Sequence, residues 1–167
     1  MSPGIEIRPE TSDDRMPIRA IHDCAFDGTA ESSLVDRLRE EGDLLLSLVA
    51  IADEPVGHVA FSRLVLPGSP VRASALGPLG VVPDRQRQGI GTALVREGLR
   101  RLSASGEDLI LVLGDPDYYG RFGFRAEIAV GFKTPYDGPY LQALALSDQG
   151  RGAHGPVHYA RAFAELS

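Results

Sequence analysis

Val81-Val82-Pro83-Asp84-Arg85-Gln86-Arg87-Gln88-Gly89-Ile90-Gly91-Thr92-Ala93-Leu94 is the stretch around which the rest of the chain is organised. An apolar strand end runs into a polar turn at Pro83 to Gln88, and a helix starts at Ile90 with glycines two apart. The first N–H groups of a helix lack intrahelical partners and point outward, and the helix dipole adds positive potential there. Glycines let a bulky anion approach the backbone closely. The segment therefore predicts a phosphate or pyrophosphate site. A P-loop is excluded, because no Gly-Lys-Ser/Thr follows. The dinucleotide fingerprint fails too, since it needs Gly or Ala three places after Gly91, where Leu94 stands. A glycine-rich turn that binds nothing is the plain alternative.

Working outward, Ile90 to Ser103 reads as a helix with Ile90, Ala93, Leu94, Leu99 and Leu102 on one face. Leu109 to Leu113 follows as a continuous apolar strand, expected where both faces are covered. Upstream, Ala73 to Val82 reads as a strand with Pro78 at a bulge or an edge. Leu44 to Ala52 and Val56 to Leu66 form a hairpin around Asp53-Glu54-Pro55. Ile5 to Ile7 is a first strand ended by Pro9. Two helices come next, one presenting Ile18, Ile21, His22 and Ala25, the other Leu34, Val35 and Leu38. Towards the end, Tyr140 to Leu146 looks like a strand, and Val157 to Leu166 a strand or short helix. The order gives a mixed α/β domain whose middle is one strand–helix–strand crossover of about 30 residues.

Composition narrows the class. The 167 residues suit one domain, 1–167, and 43% hydrophobic residues supply a core. A net charge of -6 with no basic stretch argues against nucleic acid, where phosphate neutralisation supplies most of the affinity. Cys24 is the one cysteine, so no intrachain disulfide forms, in agreement with a reducing compartment; the helix pattern places it buried or half-buried. No apolar run approaches the ~20 residues of a membrane span. Met1 to Glu10 has no signal-peptide pattern. These features predict a cytoplasmic protein with no membrane partner.

Downstream of the crossover stands Tyr119-Gly120-Arg121-Phe122-Gly123-Phe124. Together with Gln86, Gly89 and Gly91 it resembles the GNAT acetyltransferase superfamily, matching its Gln/Arg-x-x-Gly-x-Gly/Ala and Tyr-x-x-x-Gly-Phe motifs. Leu76-Gly77-Pro78-Leu79, Gly114 to Tyr119 and Gly155 to Tyr159 are similar to its YhbS-like branch. The resemblance implies a GNAT fold: a mixed, mostly antiparallel sheet with a splayed parallel strand pair, flanked by about four helices. It implies acetyl-CoA as cosubstrate, its pyrophosphate held by Gln86, Arg87, Gln88, Gly89, Ile90, Gly91 and Thr92. Leu79, Gly80 and Val81 would pair with the pantetheine arm, and a backbone N–H there would hold the oxyanion. Tyr119 would be the general acid, since a phenol of pKa near 10 stays protonated at neutral pH. Tyr118 is the second candidate, and Phe122 and Phe124 read as core.

The implied reaction is direct attack by a primary amine, small-molecule or peptide, on the thioester. No metal is expected: His154 and His158 are not at ligand spacing with any partner. Many superfamily members carry a glutamate base on the strand before the loop, where this chain has Gly77-Pro78. Glu31, His58 and Asp115 are the other candidates. His58 has the most suitable reference pKa, near 6.5, but reads as a half-exposed strand histidine. Glu31 reads as a solvated helix residue and Asp115 as a turn former. The missing glutamate keeps open a non-catalytic acyl-CoA sensor or interaction module, and the loop alone keeps open another nucleotide binder. The acidic balance leans towards a cationic acceptor. Dimers are common among such proteins, so a homodimer stays open.

Overall fold

The structure, a computed structural model, describes residues 4–165. The expectations that fall on residues 1–3 and 166 lie outside them. The strands are β1 (Glu6–Pro9), β2 (Leu44–Ile51), β3 (Pro55–Leu64), β4 (Ala73–Val81), β5 (Leu109–Leu113), β6 (Phe132–Lys133), β7 (Leu141–Ala145) and β8 (Gly155–Pro156). Three long helices are α1 (Arg15–Phe26), α2 (Ala30–Glu40) and α3 (Ile90–Ala104). Three one-turn helices are α4 (Pro116–Tyr119), α5 (Ala126–Ala129) and α6 (Asp148–Arg151). The expected count of about four helices thus becomes six α-helices among the described residues, because polar turns after β5 each close one hydrogen-bonded turn.

Six strands form one sheet in the order β1-β2-β3-β4-β5-β7. All neighbours are antiparallel except β4 and β5. β1 runs through Pro9 rather than stopping before it, which an edge strand tolerates because its outer N–H side needs no partner. Of the strand or short helix expected at Val157 to Leu166, the described residues hold a short 3-10 helix, Arg161–Glu165, with β8 pairing with β6 just before the segment.

One face of the sheet packs against α3 through Ile90, Leu94, Val95 and Leu102, set against Leu48, Val59 and Phe61. The other receives α1 and α2 through Ile18 and Val35 on Val49 and Ala60. Cys24 corrects its expectation, for it is exposed. The buried stripe of α1 is Ile18, Ile21 and His22, and at 100° per residue Cys24 lies about 200° from His22.

The feature that matters for function is where β4 leaves β5. Their parallel ladder runs from Ala73↔Leu109 to Leu76↔Val112 and ends there. β4 continues to Val81 on β3 alone, with a register shift between Val59↔Leu79 and Phe61↔Leu76. Gly77-Pro78, a cis peptide, sits at that shift. Pro78 has no N–H to give to a ladder, so the bulge expected from the sequence forms at this point. Beyond it the two strands stand apart as a V.

Candidate active site

The loop after β4 closes one end of the V. Gln86 turns back and donates Nε2–H to the Val81 carbonyl at 2.9 Å. Gln88 donates Nε2–H to the Asp84 carbonyl at 3.3 Å. Arg87 and Gly89 both adopt positive φ, 64° and 84°. At Gly89 this left-handed conformation is easy because there is no Cβ. The first α3 bond is Ala93 N–H to the Gly89 carbonyl, 3.0 Å. The N–H groups of Ile90, Gly91 and Thr92 therefore head the helix without an i−4 carbonyl. The Ile90 side chain is buried in the core, so only its backbone can serve a ligand. A Cβ at Gly91 would stand 3.2 Å from the Tyr118 hydroxyl, which is itself 3.3 Å from Thr92 Oγ1. This mouth of bare amides and small residues fits a diphosphate ester.

Along β4 the donors alternate. Val82 N–H bonds the Val56 carbonyl on β3, so Gly80 N–H also faces β3, while those of Leu79 and Val81 face the V. The Val81 carbonyl, claimed by Gln86, lies on the same side. Gly80 offers no donor there. Its role is closeness, since a Cβ at Gly80 would strike His22 Nδ1 at 2.8 Å.

The other end of the V opens into a cavity of about 1290 Å³. Its floor is β4 from Ala75 to Leu79 and β5 with Gly114 and Asp115. Phe26, Glu31 and Leu34 line it from α1 and α2, and Tyr136, Tyr159 and Phe163 from the C-terminal segment, with Leu34 and Phe163 in one hydrophobic cluster. Tyr119 lines it from α4, its ring packed so near Gly114 that a Cβ there would lie 2.7 Å from Cε2. Burial, and then the neighbouring Tyr118, push the Tyr119 phenol up to about 12. The two tyrosines part company. Tyr119 faces the cavity, and Tyr118 stands at the head of α3 with the Arg121 guanidinium 4.4 Å over its ring. Phe124 is buried and Phe122 packs against the same core, as expected.

The base candidates separate as well. His58 is fully buried, not half-exposed. Its Nδ1 is 2.7 Å from His22 Nε2 and its Nε2 is 2.7 Å from Ser47 Oγ. Ser47 in turn donates to Glu10, whose carboxylate Arg39 holds at 2.8 and 3.0 Å. A carboxylate only accepts, which fixes every tautomer: Ser47 accepts from His58 Nε2–H, and His58 Nδ1 accepts from His22 Nε2–H. This chain is sealed from the cavity, and no base at His58 reaches a substrate directly. Asp115 caps α4, its Oδ1 accepting from Asp117 N–H at 2.9 Å, while also lining the cavity. Glu31 is half-buried on the cavity wall rather than solvated. The sequence pattern missed His22 and the aromatic wall. Tyr159 and Phe163 stand at helical i, i+4 spacing, but Tyr136 lies 23 residues upstream and no local period joins it to them.

Burial lowers His22 to about 4, against a small opposing pull from Asp23. Burial, then His22 and Arg39, lower His58 well below its usual value. The unfolded chain binds protons at about 6.5 that the folded chain refuses. The stabilising contribution is therefore whole above that pH and is lost as pH falls towards 4. Each histidine costs up to about 1.4 kcal/mol per pH unit in that window. Urea unfolding at neutral pH and one unit below 6.5 should show a loss of about 1–3 kcal/mol. An unchanged midpoint would mean these imidazoles are not held neutral.

Among the described residues no group of three or more His, Cys, Asp or Glu is placed to hold a metal, and no helix is long and apolar enough to cross a membrane. Comparison with known proteins adds the following. The family model "Acetyltransferase (GNAT) domain" matches residues 6–126. The uncharacterized N-acetyltransferase YhbS of Escherichia coli K12 is 36% identical over 158 residues, 92% of this chain and 95% of that one. The crystal structure of E. coli YhbS in complex with CoA superposes with a TM-score of 0.91 at 33% identity, covering 100% of this chain and 97% of that one. A GNAT family acetyltransferase from Brucella melitensis in complex with acetyl-CoA gives 0.82 at 38% identity, with 95% and 97% covered. A helix start headed by bare amides, a V between parallel strands and a match running from β1 to α5 agree: this chain belongs to the GNAT acetyltransferase family.

Proposed function

We propose that this chain, acting as one domain over 1–167 in the cytoplasm, transfers acetyl from acetyl-CoA to a primary amine by direct attack in a ternary complex. The observation that carries the reading is the continuity of the V. The β4–β5 ladder ends at Leu76↔Val112, the cavity lined by Leu79 and Tyr119 lies at that parting, and β4 runs on from it to Val81 and the turn that starts α3. The CoA and acetyl-CoA in the E. coli and Brucella relatives support it. Acetyl-CoA supplies an activated acyl carbon and a thiolate leaving group. Ile90, Gly91 and Thr92 N–H bind its diphosphate, with Gln86, Arg87, Gln88 and Gly89 shaping the loop. Leu79 and Val81 N–H face the V, where one donates to the acyl oxygen as its charge grows. Tyr119 donates to the departing sulfur.

A second reading, an acyl-CoA sensor without catalysis, draws on β4 carrying no titratable side chain at Gly77-Pro78. Calorimetry with acetyl-CoA, followed by free coenzyme A release with a set of primary amines, separates the two. Micromolar binding with amine-dependent release is the expected result. Binding with no release from any amine favours the sensor, and no binding at millimolar concentration removes both.

A further inference from the structure

The identity of the acceptor follows from what lines the cavity, given the acetyl-transfer reading above. Its volume, about 1290 Å³, exceeds the roughly 300–1,000 Å³ that holds one drug-sized ligand. There is room for an acceptor body beside the thioester end. Part of the lining is an aromatic cluster. Tyr136 and Tyr159 meet edge to face at 4.9 Å and 79°, and Tyr159 and Phe163 at 5.3 Å and 71°. Burial raises the Tyr159 phenol above its ordinary value, so it stays neutral at any assay pH. Such a surface gains most from an apolar, preferably aromatic, partner.

The charges on the lining balance. Asp115 and Glu31 oppose Lys133 and Arg161. Asp115 is engaged as the α4 cap, and Arg161 also reaches Glu41 at 3.6 Å. Glu31 has no hydrogen bond or ion pair among the described residues. One unengaged carboxylate, with the cations Lys133 and Arg161 on the same lining, suits one ammonium group and repels a second. A polycation would bring several charges to a lining that neutralises one, which narrows the lean towards cationic acceptors drawn from net charge to a monocation. The apolar wall also has a chemical effect. Desolvation disfavours the ammonium form, so the wall itself helps present the neutral amine. That answers the missing base on β4.

We propose that the acceptor is a primary monoamine on an aromatic body, an arylalkylamine in its simplest form. The ring packs against Tyr136, Tyr159 and Phe163, and Glu31 receives the ammonium group before its proton is lost to solvent. No atom of the protein is consumed: the amine nitrogen gains the acetyl group, and coenzyme A leaves as the thiol.

The test uses the full chain with phenethylamine, tryptamine, spermidine and kanamycin. It reads coenzyme A release, phenethylamine binding by calorimetry, and acetyl-CoA affinity alongside. We expect kcat/KM for the two arylalkylamines to exceed that for spermidine and kanamycin by about tenfold or more. Tyr136→Ala and Phe163→Ala should each raise the Kd of phenethylamine about tenfold with acetyl-CoA affinity unchanged. Tyr136→Phe and Phe163→Leu keep the bulk, retain most of the binding, and serve if the alanine variants melt early. Glu31→Gln should raise KM about fivefold.

Preference for spermidine or kanamycin overturns the proposal. So does acetyl-CoA binding with no binding or turnover of either arylalkylamine. A Tyr136→Ala effect confined to the choice between acetyl- and octanoyl-CoA would assign the cavity to the donor's chain and overturn it too. Failure of the wild type to bind acetyl-CoA would instead defeat the acetyl-transfer reading.

Discussion

Tyr119→Phe should lower kcat about 100-fold and leave acetyl-CoA affinity within about twofold, because one hydrogen bond aimed at developing charge in a dry site is worth that much. The phenol reaches the cavity from α4, with Gly114 giving way beneath its ring. Burial pushes it up to about 12, so it is protonated through the whole assay range. The same shift limits what it does. A thiol has a pKa near 8.5, so full transfer from a phenol near 12 is uphill by about 5 kcal/mol. In the proposed reaction Tyr119 would therefore donate a strong hydrogen bond to the sulfur as the carbon–sulfur bond breaks, with the proton completed from solvent. The loss in Tyr119→Phe should be equal at about pH 6 and pH 9, since no titration of this group falls between them. A variant that keeps full kcat would leave Tyr119 a wall residue. The parallel Tyr118→Phe should affect affinity more than kcat, because Tyr118 stands beside Gly91 and Thr92 rather than in the cavity.

Gly91→Asp should weaken acetyl-CoA binding by at least about 100-fold. The new Cβ would lie 3.2 Å from the Tyr118 hydroxyl, and the carboxylate would stand where the diphosphate is expected. Two like charges about 4 Å apart near a protein surface repel by about 4 kcal/mol, more than the 2.7 kcal/mol that a 100-fold change requires. Poor folding would not explain the loss. An acidic residue in the first turn of a helix is stabilising by about 0.3–1 kcal/mol, so the melting temperature should hold or rise. Gly91→Ala separates size from charge and should lose far less. Wild-type affinity in Gly91→Asp, measured by calorimetry, would show that the anion does not sit at the head of α3.

Local chemistry was readable wherever it depends on neighbours in sequence. The strand run at Leu109–Leu113 was placed to the residue, and the bulge at Pro78 was placed at its position, because a missing N–H and an apolar run act locally. The glycine pair marked the head of α3 for the same reason. His58 shows the opposite case. Its strand alternation suggested one solvent face, but α1 covers that face and supplies His22 from 36 residues away. Cys24 failed because a short amphipathic helix leaves its phase uncertain until a partner fixes which stripe is buried.

The sequence by itself determined the order of elements, the glycine turn that heads α3 and the phenol downstream of it, since each rests on backbone geometry and residue chemistry within a few positions. Only the tertiary structure decided which tyrosine faces the cavity, that the buried histidines are closed off by Ser47 and Glu10, and that Tyr136, Tyr159 and Phe163 meet Phe26 and Leu34 across one space. Those facts depend on side chains far apart in the chain converging in space, and no local pattern encodes that distance.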